Sequence, residues 1–178
     1  MKRTFFYQAL AFGIFLSLVT GCDSTNDATG PVEQQETPLF QDGEIIALKA
    51  DNGLYLSRIS RGADLDPVEA VKATPDVFSQ FIVTRIDADH IALKADNGRY
   101  LSRINRGADL DPVEATKTTV DVFSQFTVTR IDANRIALKA DNGRYLSRIN
   151  RGVDLDPVEA SKTTPDDFTH FTITRLGG

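Results

Sequence analysis

From Ile46 onward, apolar and polar positions follow a pattern that recurs every 45 residues with no insertion or deletion. IALKADNGLYLSRISRGADLDPVEA starts at Ile46, IALKADNGRYLSRINRGADLDPVEA at Ile91 and IALKADNGRYLSRINRGVDLDPVEA at Ile136. Ile46-Ala47-Leu48-Lys49-Ala50 alternates in the period-two manner of a half-buried strand, with Ile46 and Leu48 inward and Lys49 outward. Asp51-Asn52-Gly53 then offers residues that accept the positive φ of a tight hairpin. A second strand is expected over Tyr55 to Ile59. The loop from Ser60 to Pro67 follows, because Gly62 and the Asp66-Pro67 pair interrupt regular pairing. A third strand is expected near Val68 to Lys72, one helical turn over residues 74 to 79 with Pro75 at its start, and a fourth strand over Phe81 to Ile86. Asp87-Ala88-Asp89-His90 and Asp132-Ala133-Asn134-Arg135 turn the chain into the next copy.

Differences between the copies sort the faces of these strands. Ile82 is replaced by Thr127 and Thr172, whereas Phe81/Phe126/Phe171 and Val83/Val128/Ile173 stay apolar, so the Phe and Val positions belong to the core face. The second copy departs from the first at only eight positions, 54, 60, 71, 73, 75, 82, 89 and 90. Identity between copies therefore reflects recent duplication as well as need. The tolerated changes are the informative ones, and they place positions 54, 60, 71 and 82 toward water.

A 45-residue unit cannot bury its own apolar face, so the three must close into one domain with approximate threefold symmetry. Four short strands per unit and no long helical period make the fold all-β. Two architectures fit. In a β-trefoil the first and fourth strands of each unit build a six-stranded barrel, and the second and third form hairpins that cap one end. In a β-prism each unit is its own small sheet. A propeller needs about four blades or more, and three units fall short. The motif ALKADNG-[LR]-YLSR, followed some way on by F-x-V (F-x-I in the third unit), resembles the repeat of the fascin family, the actin-crosslinking type of β-trefoil. The resemblance spans residues 46 to 176. Leu48, Gly53, Tyr55, Leu56, Phe81 and Val83, with their equivalents, match positions that serve fold in that family. It implies a trefoil. Filament crosslinking in the family rests on four trefoils, and this chain has one, so the resemblance carries fold and not actin binding.

The N-terminus adds a location. Lys2 and Arg3 precede a short apolar run over residues 9 to 19, too short to span a bilayer. The run ends in Val19-Thr20-Gly21-Cys22, which resembles a bacterial lipoprotein signal in which the cysteine is acylated. Residues 1 to 21 are thus expected as a signal peptide and Cys22 as the lipid-attachment site. Cys22 is the only cysteine, so the monomer has no internal disulfide. Residues 22 to 39, rich in Asp, Ser, Thr, Asn, Gln and Pro, read as a flexible tether. The domain proper occupies 40 to 178, with repeats 46 to 90, 91 to 135 and 136 to 178. Such a protein faces the periplasm or the cell exterior from a bacterial membrane, held by its lipid alone and expected to be monomeric.

Charge narrows the partners. The chain carries a formal −5, and loss of Lys2 and Arg3 with the signal makes it −7 (−5 − 2). An acidic domain lacks the basic surface that phosphate backbones require, so nucleic acid is not expected. Candidate ligand-binding residues cluster in the long loop of each unit: Arg61, Asp64, Asp66 and Glu69; Arg106, Asp109, Asp111 and Glu114; Arg151, Asp154, Asp156 and Glu159. Dense carboxylates can ligate Ca²⁺ or hold sugar hydroxyls, yet Asp-x-Asp-Pro lacks the residues that complete an EF-hand-type loop, and neighbouring arginines can pair with the acids. No metal or other cofactor is expected. Tyr55, Tyr100 and Tyr145 read as packing residues whose hydroxyls reach a polar partner, and the Gln-x-Trp signature of ricin-type lectins is absent. Nothing argues for catalysis: His90 and His170 stand at non-equivalent places, and no serine lies in a nucleophile elbow. The sequence therefore points to a non-catalytic binding module on an envelope. Its expected target is a polysaccharide met by three equivalent sites, or alternatively an envelope protein.

Overall fold

A computed structural model describes residues 37–62, 66–107, 111–152 and 156–177. The expected signal, Cys22 and most of the tether lie outside them. The strands are β1 (Ile45–Lys49), β2 (Tyr55–Arg58), β3 (Val68–Lys72), β4 (Phe81–Arg85), β5 (His90–Lys94), β6 (Tyr100–Arg103), β7 (Val113–Lys117), β8 (Phe126–Arg130), β9 (Arg135–Lys139), β10 (Tyr145–Arg148), β11 (Val158–Lys162) and β12 (Phe171–Arg175). Each repeat thus contributes four, as its periodicity requires.

Six of them close a barrel. β1 pairs with β4, β4 with β5, β5 with β8, β8 with β9, β9 with β12 and β12 with β1, all antiparallel. Three of those ladders cross a repeat boundary, and the last joins the first repeat to the third through Ile46↔Arg175, Ala47↔Thr174, Leu48↔Ile173 and Lys49↔Thr172. Sheets shared between repeats exclude the β-prism. The remaining strands form the hairpins β2–β3, β6–β7 and β10–β11. These touch one another through the bridges Pro67↔Glu114, Pro112↔Glu159 and Glu69↔Pro157. A six-stranded barrel capped by three hairpins in threefold arrangement is a β-trefoil.

The core follows the sequence pattern closely. Phe81, Phe126 and Phe171 are fully buried, as are Ile46, Leu48, Leu93, Ile136 and Leu138, while Ile82 stands exposed. Ala47 is also buried although it lies on the outer face of β1. The Tyr55 hydroxyl reaches Thr174, the register partner of Ala47, so the tyrosine lies across that face. The Tyr100 hydroxyl likewise meets Thr84. Leu39, expected in the tether, already packs against the core beside buried Phe40.

Gly53, at φ +78°, closes the β1–β2 hairpin in the left-handed region, and Asn52 Oδ1 accepts the Leu54 N–H at 3.0 Å to hold the turn. The helical turn over 74 to 79 exists as a 3₁₀ turn at Val77–Ser79, but Asp76 caps it and Pro75 does not start it. The second repeat has Val120 at the proline position and forms the same turn over Val122–Ser124 under Asp121. A carboxylate accepting N–H groups at the first turn suffices.

Two of the four positions assigned to solvent need correction. Ser60 and Ile82 are exposed, whereas Leu54 and Val71 are half-buried. At the position of Val71 the other repeats carry Thr116 and Ser161, whose hydroxyls are buried with no hydrogen-bond partner among the described residues. The side chain at this position is half-buried in all three repeats, so its variation does not mark an exposed site. An unsatisfied buried hydroxyl costs about 1 kcal/mol or more. Thr116→Val should therefore raise the unfolding free energy by about 1 kcal/mol, read as a higher urea midpoint at unchanged slope; an unchanged or lower midpoint would contradict the burial of that hydroxyl.

Candidate functional site

The hairpin end of the barrel holds most of the molecule's organised charge, and its chemistry starts from one residue per repeat. Arg58 follows Leu56 by two on β2, so the strand period points it inward, and it is buried, as are Arg103 and Arg148. A buried guanidinium needs carboxylates. Arg58 Nε and Nη2 donate to both oxygens of Asp96 at 2.7 and 2.6 Å, and Nη1 donates to Asp66 at 2.8 Å. Asp96 belongs to the Asp-Asn-Gly turn of the second repeat. Arg103 makes the same fork to Asp141 of the third repeat, at 2.6 and 2.6 Å, with Asp111 at 2.8 Å. Arg148 completes the cycle with Asp51 of the first, at 2.7 and 2.6 Å, and Asp156 at 2.9 Å. Every repeat grips the next, and the third grips the first.

The second oxygen of each loop aspartate extends the grip. Asp66 Oδ2 accepts from Asn97 Nδ2 at 3.0 Å, Asp111 from Asn142 at 3.0 Å and Asp156 from Asn52 at 2.9 Å. The same asparagine amides donate to Ala115, Ala160 and Ala70 carbonyls. The N–H of each of those alanines donates to the backbone of Asp66, Asp111 and Asp156 at 2.9 Å. Paired carboxylates keep each arginine firmly charged: for Arg58 the hydrogen bond to Asp96 raises the pKa above its usual range, against the opposing effect of burial. Phe78, Phe123 and Phe168 lie against the three guanidiniums, ring centres 5.4, 5.5 and 5.4 Å from Cζ, and cover them from water.

The structure divides the loop clusters singled out in the sequence. Asp66, Asp111 and Asp156 serve the inter-repeat grip. Glu69, Glu114 and Glu159 are buried and ion-paired with Arg61, Arg106 and Arg151, whose side chains remain nearly half exposed. Asp64, Asp109 and Asp154 lie outside the described residues. Two thirds of the loop carboxylates are thus engaged within the scaffold. Among the described residues no group of three or more His, Cys, Asp or Glu side chains is placed to hold a metal ion. Reading by loop composition missed Arg58, Arg103 and Arg148; the signal was present in their strand phase, in register with Leu56, Leu101 and Leu146.

A groove of about 360 Å³ lies at the other end of the barrel, between Pro38, Leu39, Gln41, Glu44, Arg175 and Gly177. The Glu44–Arg175 pair closes one side at 2.7 Å. It is built from the two ends of the trefoil.

With this geometry in place, comparison with known proteins separates fold from function. No family model matches the chain, and no curated protein matches it. Solved structures do. A designed 3-fold symmetric protein, ThreeFoil, superposes with a TM-score of 0.66 at 17% identity, over 74% of this chain and 99% of that one. The lectin of Polyporus squamosus, bound to a human-type influenza-binding epitope, gives 0.64 at 14% identity, over 77% of this chain and 50% of that one. A salivary protein from Culex, of the Cysteine and Tryptophan-Rich family, gives 0.63 at 14% identity, over 75% and 94%. The shared feature is the trefoil. At these identities the likeness is one of fold.

Two outcomes follow from the charge arrangement. Arg103→Met leaves two carboxylates facing an apolar side chain and should lower stability by about 3 kcal/mol. Arg130→Met, at an exposed strand end where Nε meets only the Asp132 carbonyl, should change it by less than about 0.5 kcal/mol. Urea unfolding of the two variants side by side checks this, and equal effects would remove the special role of the buried arginines. The second outcome concerns acid. A hydrogen bond from Lys72 leads the effects that hold the Asp76 carboxyl below its ordinary pKa. Burial pushes Asp121 up, but Lys117, Ser124 and the Phe123 N–H together bring it below. A carboxyl depressed in the folded state adds stability above its unfolded pKa and loses it as pH falls through the folded value. Melting temperature should hold steady down to about pH 5 and fall below about pH 4. The Lys72→Met/Lys117→Met double variant should lose less over that interval; an identical acid slope would sink the assignment.

Proposed function

We propose that this chain is a non-catalytic binding module displayed on a bacterial envelope through lipidated Cys22, with a polysaccharide as its target. One observation carries the reading: the same hairpin-and-loop surface occurs three times around one rigid scaffold. A repeated surface suits a repeating polymer, because linked weak contacts gain avidity without any single deep pocket. The likeness to a lectin of the same fold supports a binding role at that coarse level, and the resemblance to fascin repeats adds the fold alone. Asp66, Asp111, Asp156, Glu69, Glu114 and Glu159 position the loops in this reading, which leaves Arg61, Arg106, Arg151, Asp64, Asp109 and Asp154 as the loop groups that can meet a ligand.

The test is a pull-down with the chain from Asp23 onward, which keeps the whole compact unit from Thr37 to Gly178, on insoluble β-glucan, chitin, galactan and mannan, with and without Ca²⁺. Retention on at least one polymer, released by the same polymer in soluble form, is the expected result. Failure on all four would sink the polysaccharide reading in favour of an envelope protein. Loss of retention in an Asp64→Lys/Asp109→Lys/Asp154→Lys variant would place the loops in the contact surface, and unchanged retention would remove them from it.

A further inference from the structure

Each repeat also sets an aromatic ring at the surface beside the arginine grip. Phe78, Phe123 and Phe168 are 39%, 37% and 40% exposed, in a domain whose other phenylalanines among the described residues are buried. Scattered exposed apolar side chains are ordinary. These three differ in being equivalent and in being mounted rigidly. Each ring sits in the middle of a 3₁₀ turn whose last residue, Ser79, Ser124 or Thr169, is fully buried. Asp76 accepts the Phe78 N–H at 3.0 Å and Asp121 the Phe123 N–H at 3.1 Å, whereas in the third repeat the Asp166 carboxylate makes no such bond and the Asp166 N–H donates to Thr169 Oγ1 at 2.9 Å. The next strand begins at once with a fully buried phenylalanine, so the turn cannot swing without disturbing the barrel.

A Lys–Asp pair accompanies each ring. Lys72 and Asp76 pair at 2.9 Å, Lys117 and Asp121 at 2.8 Å, and Lys162 and Asp166 at 2.9 Å, all with side chains more than a third exposed. The lysine ammonium groups lie 5.8, 5.3 and 5.4 Å from the ring centres. An exposed apolar plate bordered by one ammonium and one carboxylate matches a hexopyranose. Such a sugar offers a C–H face to the ring and hydroxyls that accept from lysine and donate to aspartate. The flanking residue varies, Val77 and Val122 against Asp167 in the third repeat, so the ring and its ion pair are what the three surfaces share.

We propose that Phe78, Phe123 and Phe168 are the stacking residues of three equivalent sugar sites, each completed by its Lys–Asp pair and taking internal units of a β-linked polymer of equatorially substituted hexopyranose. Such units present axial C–H bonds on both faces, whereas the axial hydroxyl of mannose or galactose interrupts one. The proposal rests on the polysaccharide reading and gives it a location. A purely structural role, a lid over the buried arginine, needs only apolar bulk. Stacking needs the ring.

That difference sets the experiment. Retention of the chain from Asp23 onward is measured by affinity electrophoresis through gels containing soluble β-glucan, galactan or mannan. Parallel lanes carry Phe→Leu variants at positions 78, 123 and 168, singly and together, with urea unfolding as a check on fold. Retardation by β-glucan exceeding that by galactan or mannan is expected. Single variants should weaken it by about threefold to tenfold, and the folded triple variant should lose it, since avidity multiplies affinity by about 10²–10⁴. A folded triple Phe→Leu variant retarded like the parent would overturn the stacking sites while leaving the polysaccharide reading intact. A parent retarded by none of the polymers would overturn both. If the Leu triple variant does not fold, the Phe→Trp triple variant decides: stronger retardation from the larger ring supports the sites, and unchanged retardation rejects them.

Discussion

The cyclic arginine grip is the constraint on which the rest of the molecule depends. Arg58, Arg103 and Arg148 are buried, and a buried guanidinium without carboxylates is far costlier than an apolar side chain in its place. Each draws its bidentate partner from the following repeat, so no repeat supplies both carboxylates of its own arginine. The requirement propagates from the first repeat to the second and the third, and it ends only because Arg148 meets Asp51. In an open array of repeats the terminal guanidinium would lack its bidentate acid. Closure of the barrel between β1 and β12 obeys the same rule in hydrogen bonds, since an unpaired edge is left if either strand is missing. Charge and ladder thus each require the repeats to close on themselves.

Such a grip specifies more than it stabilises. Buried ion pairs recover their desolvation cost only with good geometry, and matched apolar residues often do as well. Correct register is what the apolar core alone cannot enforce among nearly identical copies. Leu48, Leu93 and Leu138 are interchangeable to a hydrophobic contact, and so are Phe81, Phe126 and Phe171. A strand that paired with the wrong copy would bury the same area. It would also strand a guanidinium away from the Asp-Asn-Gly turn that should meet it, and the penalty for that error distinguishes neighbours that hydrophobicity treats as equals.

Much of the fold could be read from the sequence because trefoil strands obey simple alternation. The Phe and Val faces of β4, β8 and β12, the Gly53 hairpin and the four strands per repeat all follow from period two and turn chemistry, and the threefold repeat left only two closed architectures. Choosing between those required pairing across repeat boundaries, which no local pattern encodes. The site was less legible for a related reason. Arg61, Asp66 and Glu69 look alike as loop charges, but Asp66 turns toward Arg58 and Glu69 toward Arg61, and that sorting depends on which strand face each one leaves. Val71 shows the reverse limit: variation to Thr116 and Ser161 suggested solvent, yet the position is half-buried in every repeat. Phe78 and Phe81 look alike in the sequence, but Phe78 lies in the 3₁₀ turn and is 39% exposed while Phe81 opens β4 and is fully buried.

The same turn links scaffold and surface. Asp76 caps it, pairs with Lys72 and accepts the Phe78 N–H. Phe78 in turn rests on Arg58, whose carboxylates come from two repeats. The exposed ring is therefore anchored through one side chain to the element that orders the three repeats. A surface ring on a mobile loop would lose conformational entropy on binding, whereas a ring already fixed between a capped turn and a guanidinium has little left to lose. Three such rings are also fixed relative to one another, because the grip beneath them is one closed cycle. For a target that repeats along a chain, fixed spacing separates additive contacts from multivalent ones. A trefoil can thus present weak, shallow surfaces and still hold a polymer, provided its repeats cannot shift against each other, and the buried arginines supply that condition.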